Sequence, residues 1–486
     1  MNYKMMGRFI AQILSLEGIF MLPALTISVH LGEHPAIRGF AATIVILLAI
    51  SAALRMLCRG AKSNFYATDG MVCVALSWII LSLTGCLPFV ISREIPRFID
   101  ALFEIVSGFT TTGASILPAV ENLSKGILYW RSFSHWVGGM GVLVFLLAIV
   151  PSGDRGKGFT MHLLRAESPG PSVGKLVPRM RKTAAILYIL YVILTVANIV
   201  FLLLGGMPAF EAVCNAFGTA GTGGFGVRND SFASYSPYLQ NVTTVFMFLF
   251  GVNFSCYYLL LIGQVRSVLK DEELRAYFGI AFVSIALIAW NIRSLYGTVG
   301  ETLRHAAFQV SSIMTTSGFA TTDFDLWPSF SKTILLVLMV IGASAGSTGG
   351  GIKVARVLLL FKSLRRSFLQ MLHPNRVQLV RNNDQVVDEK VMESTNAYLI
   401  AYVFILFLSF LVLSLDGFST GTNFSAVLCC FNNIGPGLEA VGPTCNFSGF
   451  SVLSKLVLIT DMLLGRLEIF PILCLLSRHT WRRQVK

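Results

Sequence analysis

Apolar runs near the roughly twenty residues that a helix needs to cross a bilayer recur along the whole chain of 486 residues. Only short polar gaps separate them. The pattern predicts spanning helices at about 6–30, 36–57, 68–91, 127–150, 182–205, 238–264, 275–292, 330–362, 394–415 and 450–477, with the 330–362 segment interrupted. Four shorter apolar stretches lie between them, at 98–109, 209–219, 301–314 and 421–432. At about 10–14 residues each they are too short to span and read as re-entrant segments. The longest polar stretches, 152–182 and 363–394, are too short for a separate domain.

The short stretches belong to a pattern that occurs four times: spanning helix, re-entrant helix, Gly-containing turn, spanning helix. The turns read Thr110-Thr111-Thr112-Gly113-Ala114, Gly221-Thr222-Gly223-Gly224-Phe225, Thr315-Thr316-Ser317-Gly318-Phe319 and Asn433-Ile434-Gly435-Pro436-Gly437. Taking Gly113, Gly223, Gly318 and Gly435 as the central glycines gives separations of 110, 95 and 117 residues. The predicted fold is an all-α integral membrane protein with four concatenated helix–pore helix–helix repeats around one pore, preceded by two extra transmembrane helices. The expected divisions are an N-terminal two-helix extension at 1–62 and repeats at 63–165, 166–268, 269–390 (its second helix interrupted) and 391–486.

Such turns suit cation binding. Non-helical backbone at membrane depth survives only where it is buried in protein or lines water. Four turns around an axis offer rings of carbonyl oxygens that can replace the hydration shell of K⁺. Glycine permits the backbone angles that aim carbonyls inward, and threonine adds a hydroxyl oxygen. The turns carry no Asp or Glu, whereas calcium would want carboxylates. A lone glycine in a membrane helix is usually a packing residue, but four at a repeat spacing point to a filter. The candidate K⁺-binding residues are Thr110, Thr111, Thr112, Gly113, Gly221, Thr222, Gly223, Thr315, Thr316, Ser317, Gly318, Asn433, Ile434 and Gly435.

Composition agrees. The chain is 54% hydrophobic and 13% charged, against about a quarter charged in soluble proteins. Ten crossings put both termini on one side. That side holds about 27 Lys and Arg and the other about 10, which orients both termini to the cytoplasm. The formal charge of +13 is therefore a topology signal. Scattered over several loops without a motif, it makes a poor nucleic-acid surface. The nine cysteines fit neither a disulfide framework nor a zinc site. His135 stands alone and reads as a helix-end residue.

Two features of the later spans stand out. The segment Ile341–Lys353 contains Gly342, Gly346, Gly349, Gly350 and Gly351 and no charge before Lys353. The apolar run before it, about 332–341, covers only ~15 Å, so this loop belongs near the midplane unless it is a plain interhelical linker. It is not a P-loop, since Lys353 does not directly follow a glycine and no strand precedes it. Arg466 lies deep in the last span, too far from either end to snorkel easily, and an ionisable residue there is a functional candidate by default. Its structural alternative is an ion pair with Glu468 or Asp461.

The four turns, the stretch Gly342–Gly351 and Gly465-Arg466-Leu467-Glu468 together resemble the Trk/Ktr/HKT superfamily of potassium transporters. With its two extra N-terminal helices the chain looks like the TrkH-type bacterial membrane subunits of that superfamily. The resemblance covers the whole chain. It implies potassium uptake across the bacterial inner membrane by a multi-pass, non-enzymatic protein with K⁺ as the transported ion and no covalent cofactor. It implies a homodimer with one pore per chain, surrounded by membrane lipid. It also implies a cytosolic TrkA-type ring whose RCK domains, on the partner only, bind nucleotide. In that picture the Gly-rich loop with Lys353 blocks the pore below the filter, and Arg466 stands beside it. No turn reads TVGYG, so weaker discrimination against Na⁺ and easy passage of Rb⁺ are expected. The basic loops 152–182 and 363–394, with Arg482–Lys486, are a candidate docking face, or only topology anchors. A secondary transporter is the competing reading, since broken helices and repeats also mark that class. A membrane enzyme lacks support, with no HExxH and no acidic cluster at depth.

Overall fold

The computed structural model describes residues 1–60, 66–141, 180–375, 378–383 and 385–481. Among these the chain is helical apart from short connections and one small hairpin, β1 (Arg381–Asn382) with β2 (Gln385–Val386). The all-α membrane architecture expected from the apolar pattern is what the structure adopts.

The helices α1 (Tyr3–Leu31) and α2 (His34–Leu57) form the N-terminal hairpin. Gly32, in the left-handed conformation, stops α1, and Pro35 opens α2, where its missing N–H costs nothing. The hairpin packs on the first repeat by close approach and by a polar link. Ser28 occupies the space a side chain on Gly126 would need. Thr84 Oγ1 donates to the buried Glu17 carboxylate at 2.6 Å.

Each repeat then runs long helix, short helix, turn, second helix. The first has α3 (Ala67–Gly85), α4 (Leu87–Ile91), α5 (Phe98–Phe109) and α6 (Lys125–Gly139). The second has α7 (Met180–Leu204), α8 (Ala209–Gly221), α9 (Pro237–Gly251), α10 (Phe254–Leu261) and α11 (Val265–Lys270). The third has α12 (Glu272–Ile292), α13 (Val299–Met314), α14 (Ser329–Val340) and α15 (Val354–Leu372). The fourth has α16 (Glu389–Leu413), α17 (Thr420–Phe431), α18 (Val452–Arg466), α19 (Phe470–Leu476) and α20 (Arg478–Trp481). The re-entrant stretches become α5, α8, α13 and α17, buried along most of their length. The expected boundaries at 62/63 and 165/166 fall on or next to residues outside those described.

Among the described residues six helices are long and apolar enough to cross a bilayer alone: α1, α2, the α3–α4 pair taken as one, α7, α12 and α16 with its short continuation. The other four expected crossings are the second helices of the repeats, and each is broken. Only the break in 330–362 was expected. The 238–264 segment bends by 88° between α9 and α10. There Val252 leaves the helical region and the Asn253 side chain accepts from Ser255 N, capping a new helix. The 450–477 segment breaks at Glu468 and Ile469, both at positive φ, with Pro471 starting α19. In 127–150, α6 ends at Gly139 with Gly141 at positive φ, and residues 142–150 lie outside those described. The polar stretch 363–394 is partly helix, because α15 runs on to Leu372. It also owns a small apolar cluster of Leu359, Val380 and Met392.

Candidate functional site

The four short helices end alike. At each C-terminus one residue takes the left-handed conformation: Thr111 (φ 56°), Thr222 (φ 54°), Thr316 (φ 59°) and Asn433 (φ 56°). A β-branched residue there is strained, and the strain recurs in three of four turns. The following N–H then folds back onto the helix. Thr112 N donates to Ser107 O at 2.8 Å, Gly223 N to Gly218 O at 2.8 Å, Ser317 N to Ser312 O at 2.7 Å and Ile434 N to Cys429 O at 2.8 Å. These bonds leave the turn's own carbonyls unused by the helix. Each helix also brings the negative end of its dipole to the turn, which favours a cation.

The turns close on one another. A methyl on Gly113 would overlap the carbonyl oxygen of Gly223, one on Gly224 that of Ser317, and one on Gly318 that of Ile434. One on Gly435 would stand 2.7 Å from the carbonyl oxygen of Thr112. The sequence of contacts 1→2→3→4→1 is a closed ring of four backbone segments. It also corrects the glycine register. Gly113, Gly224, Gly318 and Gly435 share positive φ, whereas Gly223 does not and aligns with Thr112, Ser317 and Ile434. The spacing becomes 111, 94 and 117 residues. The shared Gly224-Phe225 and Gly318-Phe319 pairs carried this signal. The position before each left-handed residue is Thr110, Gly221, Thr315 and Asn432, so Asn432 belongs to the set and sequence reading missed it.

Behind the ring lie buried polar supports that sequence reading also missed. Arg131 Nε pairs with Glu104 at 2.5 Å, and its guanidinium lies 3.7 Å from the Phe225 ring centre. Glu104 also accepts from Ile116 N at 3.0 Å, and Arg131 Nη1 donates to Gly226 O at 3.2 Å. The pair thus ties turn 1 to turn 2. His135, expected as a helix-end residue, lies near the end of α6 and is fully buried. Where the turns lead back out, a cavity of about 110 Å³ is lined by Gly113, Gly224, Gly318 and Gly435 with Arg131 and Asn446.

On the other side of the ring sits the Gly-rich loop. Its neck is closed by the Ile341–Ile352 bridge, with Gly342 N donating to Ile352 O at 2.9 Å. Its tip meets the turns directly. Gly350 N donates to Thr316 Oγ1 at 2.7 Å, and a side chain on Gly350 would overlap the Asn432 carbonyl oxygen. Gly349 is equally confined, against Thr315 O. Gly346 O accepts from Phe254 N at 3.1 Å, and Ala345 N donates to Glu273 at 2.5 Å. Lys353 folds back onto the carbonyls of Gly349 and Gly350. These bonds hold the segment against its neighbours, so it is not an open linker.

Arg466 joins the loop to the first repeat. Its Nη1 donates to Thr348 O at 2.9 Å and to Thr111 Oγ1 at 3.3 Å. Its Nη2 donates to Gly139 O at 2.7 Å and to Gly138 O. The ion pair considered from sequence does not form: Glu468 pairs with Arg356, and Asp461 bonds Ser409 at 2.8 Å. The expected docking segments 152–179 and 482–486 lie outside the described residues. The described residues of 363–394 carry exposed Arg381 and the Arg366–Glu389 pair.

Comparison with known proteins gives one consistent result. A family model described as TrkH, cation transport protein, matches residues 36–481. The chain is 36% identical over 490 residues to the Trk system potassium uptake protein TrkH of Salmonella typhimurium, covering 99% of this chain and all of that one. It is 33% identical to the Trk system potassium uptake protein TrkG of Escherichia coli, covering 96% of both. The crystal structure of the potassium transporter TrkH from Vibrio parahaemolyticus superposes with a TM-score of 0.89 at 32% identity, over 99% of this chain and all of that one.

Proposed function

We propose, from the premise that this chain belongs to the TrkH family of cation transport proteins, that it takes up potassium through a channel-like pore in a bacterial inner membrane. It is a transport protein, not an enzyme. The observation that carries the reading is the closed ring of four turns. Its backbone carbonyls, between glycines too crowded to bear a side chain, form the selectivity filter. The filter residues are Thr110–Gly113, Gly221–Gly224, Thr315–Gly318 and Asn432–Gly435. Four helix dipoles and no carboxylate in the turns favour a monovalent ion that trades its hydration shell for dipoles.

The loop Gly342–Lys353 and Arg466 form the gate. The loop stands across the path next to the turns, and the guanidinium adds a positive charge where little water screens it. Both termini face the cytoplasm, and the repeats divide as the apolar pattern indicates. The protein works as a homodimer with one pore per chain. A cytosolic nucleotide-binding ring of the TrkA type docks on the basic loops and moves the gate. The test is ⁸⁶Rb⁺ uptake into proteoliposomes with K⁺, Na⁺ and Cs⁺ as competitors. Uptake blocked by K⁺ well before Na⁺ supports the filter, and equal block by both overturns it.

A further inference from the structure

Two of the four turns brace themselves through their own side chains. Thr110 Oγ1 and Thr112 Oγ1 lie 2.8 Å apart, as do Thr315 Oγ1 and Ser317 Oγ. Turn 2 cannot do this, because it has Gly221 and Gly223 at those two positions. Neither glycine has positive φ, so backbone conformation does not demand glycine there. Space does. A side chain on Gly223 would overlap the imidazole of His135, and one on Gly221 would overlap the His135 carbonyl oxygen.

The imidazole occupies that space with both nitrogens engaged. Phe225 N donates to Nε2 at 3.2 Å, so Nε2 is the unprotonated nitrogen. Nδ1 then carries the proton and donates to Gly108 O at 2.8 Å. The ring centre lies 4.2 Å from that of Phe225. One side chain from α6 in the first repeat therefore spans from α5 to the exit of turn 2. Turn 2 is held from outside by a neighbouring repeat.

We propose that His135 is a positioning residue of the filter. Its imidazole replaces the missing side-chain brace of turn 2 and sets where the Thr222 and Gly223 carbonyls stand, and so contributes to ion selectivity. This rests on the filter reading given above. Turn 2 lacks the hydroxyls because the ring took their place, so the His135–Gly223 pair behaves as one unit. The two positions should couple strongly, as contacting residues do.

The experiment is a double-mutant cycle read as the Rb⁺/Na⁺ selectivity ratio, which does not change with the amount of folded protein. His135→Ala and Gly223→Ser each lower the ratio by about threefold or more. Gly223→Ser, harmful beside the ring, becomes nearly neutral in the His135→Ala background. His135→Asn, which keeps a donor toward Gly108 and loses the acceptor for Phe225, falls between parent and alanine and covers the case in which alanine fails to fold. Gly113→Ser is the control. If it shifts the ratio while both His135 variants match the parent, the positioning role is wrong and the filter stands. If none of the variants shifts the ratio, the filter reading fails with it.

Discussion

Gly224 lies so close to Ser317 that a methyl group on it would overlap the Ser317 carbonyl oxygen, and its φ is 79°. Space and backbone angle both demand glycine there, and Gly113 obeys the same two constraints at φ 80°. Gly113→Ser and Gly224→Ser should therefore displace a carbonyl of the next turn and raise Na⁺ passage relative to K⁺. A change of about 1.4 kcal/mol in relative site free energy is tenfold in a ratio, and a shift of about that size is expected. Rb⁺ flux under Na⁺ competition is the measurement. A parental ratio in both variants, with folded protein matched, removes these glycines from the filter.

The Glu104–Arg131 pair makes a stability prediction. Side-chain exposure is 0% for Glu104 and 3% for Arg131, so neither charge has water to fall back on. Glu104→Gln leaves the guanidinium buried and uncompensated, which typically costs about 3–5 kcal/mol. Replacing both partners by apolar residues, as in Glu104→Leu with Arg131→Met, should cost less than the worse single change. Thermal unfolding in detergent, followed by size-exclusion chromatography, gives the ranking. Additive losses would show that the two charges act separately.

The element plan was legible because bilayer crossing imposes a length that apolar runs display directly. The short helices were found for the same reason: 98–109 matches α5 to the residue. Their turns were found from glycine content, but the second was misaligned by one residue. Gly223-Gly224 offers two candidates, and only the φ values choose. Three of the four breaks in the second helices were missed, and two of them lie beside tertiary contacts. Gly138 and Gly465 lie against the carbonyls of Phe109 and Phe431 at the ends of short helices, a contact no local pattern records. Arg131 and the partners of His135 were missed likewise, since a single polar residue in a helix says nothing about which repeat it reaches.

Glu439 makes a pH prediction at the N-terminus of α17. Its carboxylate accepts from the Ser419 hydroxyl and from Thr422 Oγ1 at 2.9 Å, which holds its pKa below the usual carboxylate value. A depressed folded-state pKa stabilises fully above the unfolded value of about 4.3 and is lost as pH falls through the folded one. The parent should lose melting temperature between pH 6 and pH 3 by slightly more than Glu439→Gln does. The difference is small because the group is exposed. Identical pH profiles would show that the hydroxyls do not stabilise the charged form.

Arg466 is where the proposed gate is tested. Among the described residues its guanidinium donates to Thr348 in the loop, Thr111 in turn 1 and Gly138 and Gly139 at the end of α6. Among the described residues it therefore links the loop to the first repeat. Arg466→Ala removes the fastening and the charge together. Flux without any cytosolic partner should rise, by about fivefold or more if the coupling is in the usual range. Arg466→Lys keeps the charge but loses the planar fork that reaches several carbonyls at once, so its flux should lie between alanine and parent. Shortening 345–350 should raise flux with Arg466 still present, because the obstruction is then gone and only the charge remains. None of these changes should alter the Rb⁺/Na⁺ ratio beyond about twofold, because Arg466 and Gly350 bond the turns through the Thr111 and Thr316 hydroxyls and not through the turn carbonyls. Flux at or below the parental level in both the alanine and the shortened variant, at matched protein and oligomeric state, would place the gate elsewhere in the pore.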